Sequence, residues 1–293
     1  MSQLLGDVFL LRLNSKKKKA FLILIIMILV IFGGLAAISA SYHGGIPVLN
    51  YHQINDHDHN SLTVSSKQFA YQMEYLDKMG YHTITPAELA DALENGAALP
   101  EKPILITFDD GYEDNYANAY PVLRQYNMKA TIFLISDYVS TYPNYLTWGQ
   151  AEEMQKNGID FESHTLSHVE LTKTESSEET LHQLIESKKA IDWRLKKDVG
   201  FIAYPCGSHD NEVEQLTQQA GYRAAFTVKY GLDRPGMSMY ALDRIPIFGG
   251  NTHTMMRFML RLRFTPLLSA MSQLRTDLIQ NGHTSLASLI LLP

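Results

Sequence analysis

The chain has 293 residues, 45% of them hydrophobic and 19% charged, enough to bury the core of one large domain or two small ones. With Asp7, Arg12 and Lys16–Lys19 set aside, 20 basic and 30 acidic residues remain, a net charge of −10; that argues against a nucleic-acid partner and suits a neutral or cationic one. Cys206 is the only cysteine, which excludes an intrachain disulfide and leaves stability to the core.

In chain order, a basic segment over 1–19 ends in four lysines and is followed by Ala20–Ile38, 19 residues without a charge. About 20 such residues span a bilayer as a helix. Lysines on the N-terminal side place the preceding segment in the cytoplasm. The expectation is a transmembrane anchor over 20–40, a linker over 41–45 and an extracytoplasmic remainder, a single-pass protein of the cell membrane. Ala37–Ser39 keeps a cleaved signal sequence as the alternative. After the linker, strand-like runs fall at Ile46–Tyr51, His82–Thr85, Ile104–Phe108, Ala130–Ile135, Ile159–Ser163, Phe201–Tyr204, Ala224–Val228 and Arg244–Phe248. Helical patterns lie between them near 66–79, 87–95, 115–127, 148–157, 176–197 and 210–220. Thr85-Pro86 and Ser176-Ser177 are helix starts, and Gly80, Gly158 and Gly221 sit where left-handed helix ends want glycine. Such alternation predicts a distorted (β/α) barrel of about seven or eight parallel strands over 46–263. Met255, Phe258, Met259 and Leu262 share one helical face, read as a closing helix packed on that barrel. The tail over 264–293 has no assigned role.

Barrels of this kind place their chemistry at the C-terminal ends of the strands. His52 follows the first predicted strand, Asp109 and Asp110 the third, His164 the fifth and Pro205 the sixth. Adjacent carboxylates are unfavourable unless a positive charge lies beside them. The spacing His164-x-x-x-His168 lets two imidazoles meet one ion. One aspartate with two histidines makes a three-ligand set that leaves coordination positions open for water and substrate. The second aspartate, ionised beside a cation, can take a proton from that water. The charge expected to relieve the pair is therefore a metal ion. Tyr112, Tyr116, Tyr145 and Trp148 are candidates to stack on sugar rings or to pack in the ordinary way.

The stretches TFDDGY (Thr107–Tyr112) and SHTLSH (Ser163–His168) resemble the polysaccharide deacetylases, family four of the carbohydrate esterases. The resemblance covers roughly residues 46–250 and implies a distorted barrel that removes acetyl groups from glycans. It further implies one divalent ion, zinc foremost with cobalt, nickel or manganese as alternatives. Asp109 would be the general base, Asp110, His164 and His168 the ligands, and the Tyr112 backbone N–H part of the oxyanion site. Two features of the family are missing. The turn Tyr204-Pro205-Cys206-Gly207 lacks the arginine that often braces the base, and no leucine-x-histidine near the C-terminus supplies an acid. Instead PVLNYHQIND at the start of the barrel ends its strand in His52. That arrangement is similar to the poly-N-acetylglucosamine deacetylase branch, whose acid histidine comes first. His57, His59 and above all His209 compete for the role. The turn supplies Tyr204, Pro205 and Gly207 as candidate substrate contacts. Cys206 is read as a small replacement for an aromatic, with a fourth ligand as the alternative.

These readings converge on a membrane-anchored, metal-dependent N-deacetylase acting on an acetylated amino-sugar polymer, poly-N-acetylglucosamine favoured over peptidoglycan, chitin or xylan. The alternatives of other classes are a metal phosphoesterase, which would want more carboxylates than Glu162 adds, and a non-catalytic glycan-binding module, which would need no intact base.

Overall fold

Strand residues alternate sides, so a strand covered on both faces reads as a continuous apolar run. The run Val48–Tyr51 is one of these, and in the computed structural model, which describes residues 45–250 and 254–290, it is strand β1. It is followed by short β2 (Gln53–Ile54), β3 (Thr63–Val64) and β4 (His82–Thr83), then by β5 (Pro103–Phe108), β6 (Ala130–Leu134) and β7 (Ile159–Ser163). Strands β8 (Phe201–Ala203), β9 (Ala224–Tyr230) and β10 (Leu242–Pro246) complete the series. All pairings are parallel, in the order β5-β6-β7-β8-β9-β10-β1, and β1 returns to β5 through Leu49–Ile106 and Tyr51–Phe108. The ring thus closes with seven strands. The run at His82, expected in the barrel, pairs only with Pro103 and Ile104 at the start of β5. A two-residue strand there is too short to take a place in the wall. The pair β2–β3 has no counterpart in the sequence reading, because two-residue strands carry no periodicity.

Helices surround the ring: α1 (Ser66–Lys78), α2 (Pro86–Asn95), α3 (Tyr120–Gln125), α4 (Trp148–Gln155), α5 (Ser177–Leu195) and α6 (Asn211–Gln219). Their starts follow local chemistry. Thr85 and Glu88 form a reciprocal capping box for α2, as Thr147 and Gln150 do for α4, satisfying backbone donors that a helix start otherwise leaves open. Two apolar layers result. Val48, Leu105, Phe133, Phe226 and Leu242 fill the barrel together with Leu89 and Leu93 of α2. Leu49, Ile106, Ile132 and Phe161 face the other helices. The predicted closing helix is α7 (Met255–Arg263), with Phe258 and Leu262 buried and Phe258 edge-on to Tyr75 of α1. The tail continues as α8 (Thr265–Gln280), which packs against β9, and α9 (Thr284–Ala287).

The basic segment over 1–19, the anchor expected over 20–40 with its alternative cleavage point, and nearly all of the linker lie outside the described residues. Among the described residues no helix is long and apolar enough to cross a membrane.

Candidate active site

Inward-facing positions recur every second residue along a strand. In β1 they are Val48 and Asn50, continuing to His52; in β5 they are Leu105 and Thr107, continuing to Asp109. Strand β10 adds Leu242 and Arg244. At the level above the apolar interior these columns turn polar. The Arg244 guanidinium, with no exposed surface, grips Asp109 in two bonds: Nη1 donates to Oδ1 at 2.7 Å and Nη2 to Oδ2 at 2.8 Å. Asn50 Nδ2 donates to the same Oδ2 at 2.8 Å. The arginine is itself held by Nε donating to Thr227 O at 2.7 Å and Nη1 to Thr107 Oγ1 at 3.3 Å. Burial pushes the Asp109 carboxyl up, but the charges of Arg244, His164 and His52 outweigh it and hold it well below the usual carboxylate range. Asp109 is an ionised, fixed, buried acceptor.

This corrects one expectation. The positive group beside Asp109 is Arg244, not a metal ion alone, and it comes from β10 rather than from the Tyr204–Gly207 turn. The sequence signal was an arginine on the inward register of an apolar strand, ALDRIPIF, where an unpaired charge would be costly.

The neighbouring acid turns away. Asp110 adopts φ +75°, followed by Gly111 at +78°, so the strand register ends and its carboxylate swings toward β7. There Oδ1 stands 3.3 Å from His164 Nε2 and 3.4 Å from His168 Nε2. The same oxygen is buried and lacks a hydrogen-bond partner among the described residues. His164 Nδ1 faces Ala203 O at 2.7 Å; a carbonyl only accepts, so Nδ1 carries a proton, and in the neutral form of the ring the lone pair lies on Nε2, facing inward. Thr165 and His168 also have left-handed backbones, φ +67° and +64°, strain that folds the i,i+4 pair onto one point. Donors on a tetrahedral ion with bonds of about 2.0–2.1 Å stand about 3.3–3.4 Å apart. The separations of both imidazoles from Asp110 match, and all three donors lie within 4.8 Å of one another, so the set fits a divalent metal ion; it is the one such cluster among the described residues. Cys206, exposed on a left-handed backbone, is not among its donors. Glu162 is turned elsewhere, accepting from Gly200 N and Phe201 N and paired with Lys197 at 2.6 Å.

His52 lies at the mouth, its Nε2 3.9 Å from Asp109 Oδ2. Burial lowers its pKa against the pull of Asp109 and Asp110. The competing histidines go elsewhere. His57 faces Asp58 at the surface, His59 is exposed, and His209 stacks on Tyr204 with Nε2 3.9 Å from Glu214.

Tyr112 and Tyr145 stack at 5.0 Å within a group that includes Tyr138 and Tyr142. Their segments meet through Leu146 N to Gly111 O and Glu113 N to Asn144 O, a pattern that turns the N–H of Tyr112 away from the Tyr145 segment. Tyr116 packs on Tyr120 and donates to Glu153, and Arg194 lies over the Trp148 ring. The Tyr204 side chain is fully buried, its hydroxyl donating to Tyr240 O at 3.1 Å, and Pro205 is buried as well. Burial removes both side chains from the candidate substrate contacts. Of that turn, Cys206 is exposed and Gly207 half-buried.

Comparison with known proteins places the chain among the polysaccharide deacetylases. The family model described as polysaccharide deacetylase matches residues 96–225. YxkH of Bacillus subtilis, which bears a polysaccharide deacetylase name, is 38% identical over 205 residues, spanning 70% of this chain and 72% of YxkH. The poly-beta-1,6-N-acetyl-D-glucosamine N-deacetylase of Staphylococcus aureus is 30% identical over 199 residues, 64% of this chain and 68% of its own. Among solved structures, the Streptococcus pyogenes deacetylase PplD in complex with acetate superposes with a TM-score of 0.67 at 29% identity, covering 70% of this chain and 92% of PplD.

Proposed function

Because this chain belongs to the polysaccharide deacetylase family and is a hydrolase of acetylated glycans, we propose that it removes N-acetyl groups from a polymer containing N-acetylglucosamine, poly-N-acetylglucosamine foremost. The observation that carries the reading is the pair of differently assigned neighbours: Asp109 locked to Arg244 and Asp110 facing His164 and His168. A glycan-binding module needs no buried carboxylate held ionised beside a three-donor set.

Asp110, His164 and His168 would hold the ion, and the tetrahedral spacing with two imidazole donors favours zinc. When bound, such an ion polarises the acetyl carbonyl and makes water more acidic. The remaining work falls to this chain. Asp109, ionised and unable to rotate, accepts the proton of the attacking water. The N–H of Tyr112, turned from its neighbouring segment, donates to the oxygen that gains charge as the carbonyl becomes tetrahedral. His52 delivers a proton to the departing nitrogen, since an amide anion is too basic to leave. Acetate and a glucosamine residue result. Gly207 and Tyr112 border the path of the polymer.

The uncharged run over 20–38 behind four lysines supports a single-pass anchor with the barrel outside the membrane. Resistance of the membrane-bound chain to a high-salt wash, with cleavage by protease added outside intact cells, is the expected result; a soluble form beginning near Ser39 would replace the anchor with a signal sequence.

The test of function is acetate release by the purified chain from poly-N-acetylglucosamine, peptidoglycan, chitin oligomers and acetylated xylan, with and without a chelator. Chelator-sensitive release from the first is expected. Binding without release would favour the non-catalytic module, and release from xylan alone would make the enzyme an esterase.

A further inference from the structure

Among the described residues the His52 side chain has no hydrogen-bonding tether. Its Nδ1 is buried without a partner there, and its Nε2 is 3.9 Å from Asp109, beyond hydrogen-bond reach. The imidazole is therefore placed by its backbone, and that backbone is stitched to the loop that carries the two aspartates. Beyond Asp109 and Asp110 the chain enters one turn of wide π-helix, Asn115–Ala119, before α3 begins; such turns are uncommon and recur at functional sites. From it Asn115 Nδ2 donates to His52 O at 2.8 Å, and three residues on Asn118 Nδ2 donates to Ile54 O at 2.7 Å. Two carboxamides thus satisfy alternate carbonyls of the 52–54 segment, as a neighbouring strand would. Asp114 completes the seam, accepting from Asn55 Nδ2 at 2.7 Å and Asn115 Nδ2 at 3.0 Å. Asn115 is fully buried and Asp114 nearly so. A buried carboxamide spanning 63 residues of sequence to one carbonyl has few ways to be replaced without moving that carbonyl.

We propose that Asp114, Asn115 and Asn118 are positioning residues that set the reach of His52, Asn115 above all, so that one loop places both the proton acceptor and the proton donor. The inference rests on the reading of His52 as the donor. A misplacement of about 1 Å can cost up to about 10²-fold in rate, so Asn115→Ala in the full chain is expected to lower kcat on N-acetylglucosamine oligomers about 10- to 100-fold. KM and metal content stay unchanged. Hydrolysis of nitrophenyl acetate, whose leaving group needs no proton, changes by less than about threefold. In a His52→Ala background, Asn115→Ala adds no further loss on the oligomers, because it acts through the histidine. Equal losses on both substrates, or a further tenfold loss on top of His52→Ala, would overturn the latch. If Asn115→Ala does not fold, the half-buried Asn118→Ala carries the same comparison, with a selective loss of about 3- to 10-fold expected. His52→Ala alone separates the two levels. A selective loss there with unselective asparagine variants rejects the latch only, whereas an unselective loss at His52 rejects the donor assignment and the latch with it.

Discussion

Replacing Arg244 with methionine keeps an unbranched apolar stem and removes the guanidinium with its charge and donors. Asp109 would then sit 2% exposed, with the Asn50 hydrogen bond and the more distant His52 and His164 imidazoles in place of its bidentate partner. Two opposite charges about 4 Å apart at an effective dielectric near 20 attract by about 4 kcal/mol, and breaking a buried pair from one side typically costs about 3–5 kcal/mol. For a domain of this size each kcal/mol moves the melting temperature by about 2–4 °C, so Arg244→Met should melt roughly 6–20 °C lower. The sign of the pH effect follows from the same pair. Without the guanidinium, burial governs the Asp109 carboxyl and raises it; the ionised base survives only at higher pH, so the acid limb of the activity profile moves toward neutrality. Thermal melts and pH–rate profiles of Arg244→Met, Asp109→Asn and the double variant close a cycle. The double variant, with no lone buried charge, should recover at least about 2 kcal/mol relative to the sum of the singles. Additivity within about 0.5 kcal/mol, or a melting temperature unchanged by Arg244→Met, would refute the ion pair as the device that holds the base.

Metal analysis of the purified chain should find about one divalent ion, lost in His168→Ala and retained in Asp109→Asn, which should lose about 10²–10⁴ in turnover; retention by His168→Ala would break the ligand set. Gly207 has φ +69°, and a Cβ there would stand 2.5 Å from Val228 Cγ2 and 2.9 Å from Val228 N. Gly207→Ala should therefore cost more than about 1 kcal/mol in denaturant unfolding, and a neutral result would mean that the turn shifts freely. At the start of β10, buried Asp233 accepts from Asp243 N at 2.8 Å while its Oδ2 has no hydrogen-bond partner among the described residues. Burial, with the Asp243 charge, raises this carboxyl well above its ordinary 3.8. The folded state then holds the proton longer than the unfolded one, and stability falls as pH rises above that ordinary value. Asp233→Asn keeps the acceptor, so it should raise the melting temperature at neutral pH and flatten that fall; a lower melting temperature at neutral pH would contradict the assignment.

Signals local in sequence are strong here. Apolar runs ending in His52, Asp109 and His164, caps such as Thr85 with Glu88, and the i,i+4 histidines report interactions made within a few residues of one another. They were enough to place the seven strands of the ring within about two residues of where they lie and to set the polar groups on one rim. What the local signals lacked was adjacency. That His82–Thr83 stays outside the ring depends on β1 closing on β5, a contact between segments more than 50 residues apart. Asp109 and Arg244 are 135 residues apart and meet because β1 lies between β5 and β10, which brings three inward columns to one level. From the sequence, an arginine in a strand and two adjacent acids were each incomplete, and a metal ion was invoked for both carboxylates. Tyr204, polar enough to be offered to a substrate, proved to be core for the same reason, since burial is a property of neighbours. The chemistry of this protein is written in residues close along the chain. The charge balance that keeps Asp109 ionised, and the asparagine bonds to the His52 segment, exist only once distant segments are side by side.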